Sequence, residues 1–94
     1  MGNADRPGHA LTDDKKDKIE YVTSEVFDMV WKAINKHASM HSPHEGISVI
    51  REEFEELWDH VKADTGRTPE ARKEALQLAA MAVRYIVDLI EGDK

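Results

Sequence analysis

Four glutamates in one short stretch, Glu52-Glu53-Phe54-Glu55-Glu56, and a second polar pair, Glu74 and Gln77, are the residues of this chain best spaced for chemistry. Glu53 and Glu56 are three apart, as are Glu74 and Gln77, so on a helix each pair shares one face a single turn apart. Glu53 and Glu56 fall beside the apolar stripe that contains Phe54, and His60 lies on the same line. Glu74 and Gln77 continue through Met81, Arg84 and Asp88 as the one polar strip of an otherwise apolar segment. Packed side by side, two such helices bring the strips face to face. Magnesium prefers oxygen ligands and keeps waters and substrate phosphates in its shell. A cation held there would neutralise charge on a phosphate chain and activate water as nucleophile. The chemistry is metal-assisted hydrolysis of a phosphate chain. A Glu-rich helix face is ordinarily solvated surface, and the matching second strip is what distinguishes this one.

Other side chains compete for roles. Lys32, Lys36, Arg51 and Arg84 could hold phosphates. Arg84 is the best placed, on the strip of Gln77, although it could equally pair with Asp88; the other three read as solvated charge. His37, His41 and His44 have spacings seen in zinc sites, but the stretch crosses a helix break at Ser42, so helical geometry does not run through it. His44 reads as a structural group near the helix start or one that approaches substrate. Trp31 lies off its helix stripe and divides between a dimer interface and a nucleobase pocket. Trp58, Met29 and Met81 read as core. Paired Glu-x-x-His motifs of a ferritin-like di-iron site are absent.

The elements that must position these residues are helical. Residues 1–12, with Gly2, Pro7 and Gly8, read as a flexible arm, and 13–94 as one domain. The first helix is expected from Asp13 to His37, where Ile19, Val22, Val26, Met29, Val30, Ala33 and Ile34 recur at three- and four-residue steps. Ser42, Pro43 and Glu45 fit a capping box that opens the second, expected to run to Asp64 with Gly66 as stop signal. Its stripe is Ile47, Ile50, Phe54, Leu57, Trp58 and Val61. Thr68 and Pro69 open the third, expected to reach Glu91 and stop at Gly92. There Leu76, Ala79, Val83, Ile86, Val87 and Ile90, widened by Ala75, Leu78, Ala80, Ala82 and Leu89, cover roughly 200° of circumference. So wide an arc needs partners on two sides. The expectation is an all-α fold of three long helices in an antiparallel bundle, completed by homo-oligomerisation.

Composition narrows the function. A net charge of −6 argues against a nucleic-acid backbone binder and suits a protein that collects cations. Without cysteine, disulfide scaffolds, thiolate zinc sites and cysteine nucleophiles are excluded. No apolar run is long enough for a transmembrane helix, and the polar N-terminus lacks the apolar core of a signal peptide. The expected location is the cytoplasm, with no membrane partner.

The motif set His44-Glu45-Gly46, Glu52-Glu53-x-x-Glu56 and, 18 residues on, Glu74-x-x-Gln77 resembles the MazG-like all-α nucleotide pyrophosphohydrolases. Their pattern is Glu-Glu-x-x-Glu, a spacer, then Glu-x-x-Asp, and the resemblance spans roughly residues 15–91. It implies cleavage of a nucleoside triphosphate between its α and β phosphates, with magnesium (or manganese) as cofactor and a dimer or tetramer as the working unit. It makes Glu53, Glu56 and Glu74 metal ligands and Glu52 an accessory acid. Gln77 departs from the pattern, standing where an aspartate is usual: an amide oxygen can still ligate magnesium, but one negative charge is lost. Arg84, His44 and Trp31 are the candidates for substrate contact. Two alternatives stay open: a helical homodimer that serves as a non-catalytic interaction module after loss of the fourth acid, and a relative acting on a non-standard nucleotide such as phosphoribosyl-ATP.

Overall fold

A computed structural model describes residues 9–92, and within them the chain is helical with no strand. Helix α1 spans His9–Lys36, α2 Pro43–Lys62 and α3 Pro69–Tyr85, followed by a π-helical turn, Ile86–Ile90. The arm expected over residues 1–12 lies outside the described residues up to residue 8, and His9 to Thr12 already belong to α1. The helix thus begins four residues before the expected Asp13.

Local chemistry accounts for the starts. Ser42 sits in extended backbone and its hydroxyl accepts the Glu45 N–H, with Pro43 at the first helical position. Glu45 reaches back as a capping box requires, but it accepts from the N–H of His41, one residue before the cap. Thr68 caps α3 by accepting from the Ala71 N–H, again ahead of a proline.

The stops differ from expectation. Helix α2 ends at Lys62, and Asp64 takes the left-handed conformation with φ of 64°. Its N–H bonds to the Val61 carbonyl at 3.1 Å while the Thr65 N–H reaches the His60 carbonyl at 2.8 Å, a Schellman closure made by aspartate instead of glycine. Gly66 lies beyond the stop. Regular α-helical bonding in α3 ends at Tyr85, short of the expected Glu91, and the π turn carries the chain to Gly92.

Three contacts define the topology. Arg72, near the start of α3, pairs with Glu25, and Arg84, near its end, donates to the Ala38 carbonyl just past α1. Helices α1 and α3 therefore run parallel. Gly46 at the start of α2 meets the Tyr85 ring at the end of α3 and Leu89 in the π turn, so α2 runs antiparallel to both. Helix α3 is central, packing on α2 and on α1. Because Glu25 is level with Arg72, the first half of α1 projects beyond the other two helices.

The buried apolar set is small: Val30, Met40, Ala71, Leu76 and Ala80. Much of the expected core is exposed, including Ile19, Ile47, Phe54, Trp58, Val61, Ile86 and Ile90. Trp58, read from sequence as core, is 47% exposed. The cause is rotation: α2 turns Gly46, Ile50, Glu53 and Leu57 toward α3, and its Ile47-Phe54-Trp58-Val61 stripe lies about 100° round the helix. A radius of gyration of 16.4 Å, against about 12 Å for a compact domain of this length, reflects the projecting half of α1 together with this open packing.

Candidate functional site

The side of α2 that carries Glu53 and Glu56 approaches Glu74 of α3, because antiparallel packing sets the middle of α2 against the first turns of α3. One carboxylate oxygen from each of Glu53, Glu56 and Glu74 lies within 4.8 Å of the others. No protein cation is interposed by an ion pair with any of them among the described residues. Such a group cannot be fully ionised without strong repulsion. Burial, then the Glu56 charge and a hydrogen bond with Glu56, push Glu53 up to about 7, with Glu74 and Glu52 adding to the effect. Glu74 is raised as well, by burial first and then by its hydrogen bond with Glu56. Glu56 is thus the middle member of the cluster. The Glu53 Oε1 is buried and finds no hydrogen-bond donor in the protein.

Three oxygen donors on two rigid helices, one of them an orphaned buried acceptor, fit a hard divalent cation. The carboxylates could hold it beside an open cleft of about 480 Å³ that is lined from all three helices and reached by Glu53. Glu53, Gln77 and Arg84 line that cleft, together with Lys32, Lys36 and His37 from the end of α1. Gln77 therefore stands on the wall shared with Glu53, one turn beyond Glu74.

The remaining candidates separate. Glu52 points away, lining a shallow surface with Ser48, Arg51 and Glu55, so its reach to the site is through charge alone. His44 lies about 180° round α2 from Glu53, in a depression with Pro43, Ile47 and Tyr85. Trp31 is 60% exposed on the side of α1 away from Ala33 and does not line the cleft. Neither His44 nor Trp31 is placed for contact with a ligand there. The histidines also scatter: His37 faces the cleft, whereas His41 approaches Glu45 at 3.9 Å, and the only metal-type cluster among the described residues is the glutamate one. Met29 and Met81, expected as core, line the cleft.

Arg84 is 7% exposed. Its Nη2 donates to the Ala38 carbonyl at 2.9 Å and meets Asp88 Oδ2 at 3.4 Å, and that oxygen also accepts the Met40 N–H at 3.1 Å. The pair ties the α1–α2 connection to the end of α3. Its Nε is buried without an acceptor. Of the two roles the sequence allows Arg84, pairing with Asp88 occurs; its Nε stays buried beside the cleft without an acceptor. Lys32 and Lys36, set aside as solvated charge, also reach the cleft. Their signal was the i, i+4 spacing alongside Met29 and Ala33.

No protein-family model matches this chain, and no match was found among curated proteins or solved structures. Among the described residues no helix is long and apolar enough to cross a membrane.

Proposed function

We propose that the chain is a magnesium-dependent nucleotide pyrophosphohydrolase of MazG-like type that works as a homo-oligomer and releases a nucleoside monophosphate and pyrophosphate. The observation that carries this reading is the meeting of Glu53, Glu56 and Glu74 within 4.8 Å at the edge of a cleft large enough for a nucleotide phosphate chain. In this reading the three carboxylates hold the cation. Bound magnesium would supply charge neutralisation on the phosphates and a lowered pKa for water. Glu53 exchanges its proton near neutral pH, so it is ionised when a cation competes for Oε1. Gln77 offers an uncharged oxygen beside Glu53, and Glu52 contributes negative potential from outside the cluster.

Gln77 is also the observation that favours a second reading, a non-catalytic interaction module of the same shape. Product analysis separates the two. The protein, with magnesium or manganese and a panel of ribo- and deoxynucleoside triphosphates, is expected to yield monophosphate and pyrophosphate, and Glu53→Gln to yield neither. Either cation is expected to raise the melting temperature of the wild type, an effect lost in the same variant. No turnover and no metal-induced shift would leave the interaction module.

A further inference from the structure

The cleft gathers three cationic side chains beside Glu53, although the chain as a whole is acidic. Lys32 and Lys36 are one turn apart on α1, both exposed and both facing the cleft, and neither makes an ion pair among the described residues. Across from them stands Arg84, more than nine-tenths buried, with an Nε–H that no protein acceptor satisfies. A buried guanidinium donor without a partner is costly, and its natural complement is an oxyanion. The net charge of −6 would repel a polyanion from most of the surface, so binding here must come from this local arrangement.

We propose that Lys32, Lys36 and Arg84 form a subsite for a phosphate-class oxyanion that holds its ligand without a metal ion. The subsite extends the reaction site proposed above and rests on that reading for its place in a reaction, but its test needs neither turnover nor metal. Two flexible ammonium groups supply attraction from α1, while Arg84, anchored through Nη2 to Ala38 and Asp88, turns its unpartnered Nε–H to the ligand from α3.

The probe is inorganic pyrophosphate, titrated calorimetrically into the full chain in EDTA at low salt. Saturable binding is expected, weakening as salt is added because the lysines are exposed. Lys32→Gln/Lys36→Gln, at two surface positions that leave the fold intact by circular dichroism, should weaken it by roughly tenfold or more. Arg84→Lys keeps the charge but removes the Nε–H and should also weaken it, whereas Glu53→Gln should not. Absence of saturable binding in EDTA, or unchanged binding in the double lysine variant, overturns the subsite. Binding in EDTA by a protein that hydrolyses no nucleotide would instead remove the hydrolytic reading and leave the subsite standing.

Discussion

Glu53 carries two properties that together set a pH dependence. Its folded-state pKa of about 7 lies above the 4.5 of the free side chain, and that of Glu74 is raised in the same direction. Between those values the folded chain binds more protons than the unfolded one, so stability falls as pH rises from about 4.5 to 7. In EDTA the melting temperature is therefore expected to drop from pH 5 to pH 8. Glu53→Gln should flatten that slope and stabilise the protein at pH 8 by about 1 to 2 kcal/mol, less than the full shift implies because the site is partly open to solvent. A melting curve of this variant with an unchanged slope would show that the glutamates do not repel one another as described. Metal affinity should rise through the same interval, since the cation displaces the Glu53 proton.

Element geometry is governed by one close approach. A Cβ on Gly46 would lie 2.6 Å from Cδ2 of the Tyr85 ring and 3.0 Å from Cδ1 of Leu89. Glycine lets the start of α2 settle against the end of α3, and that contact sets the rotation which turns Glu53 inward. Gly46→Ala should cost about 1 to 3 kcal/mol, lowering the melting temperature by several degrees. Because the ring must move, the variant should also lose part of its metal-induced stabilisation; a variant as stable as wild type would mean that Tyr85 yields freely. The π turn after Tyr85 belongs to the same device. It carries Asp88, whose carboxylate holds both Arg84 and the Met40 N–H, and it closes at Gly92, where a Cβ would collide with the Asp88 carbonyl.

At the scale of the molecule, the open surface is the dominant fact. On α2, Phe54 is 52% exposed in line with Ile47, Trp58 and Val61, and the side of α3 and its π turn away from the cleft adds Ala75, Ala82 and Ile86. Among the described residues five small or medium side chains form the buried apolar core, which is little for a chain of this size. The homo-oligomer proposed above would cover this face, none of whose residues lines the cleft. Light scattering is expected to give at least twice the 10.7 kDa of one chain. Phe54→Asp/Trp58→Glu should shift it toward the monomer with loss of stability. A wild type that stays at 10.7 kDa at every concentration would reject the assembly.

The three helices, the starts of α2 and α3 and the pairing of Glu53 with Glu56 were legible in the sequence because each depends on neighbours within a turn or two. Ser42 and Thr68 satisfy N–H groups three residues away, and Glu53 and Glu56 share a face at any helix rotation. Glu74 joins them because the short α2–α3 connection brings the two strips together. The rest depended on how the helices turn about their axes, which no local spacing encodes. Gly46 against Tyr85 turned the Phe54-Trp58 stripe outward, and the opposite faces of α2 and α1 took His44 and Trp31 away from the cleft. The stop was hidden because Asp64, in a left-handed conformation closed by local backbone bonds, takes the part that Gly66 was expected to play. Lys32, Lys36 and Arg84 read as separate charges along the chain. Only the parallel packing of α1 on α3 set them around one cleft, because contacts between distant segments decide which solvated charge faces which.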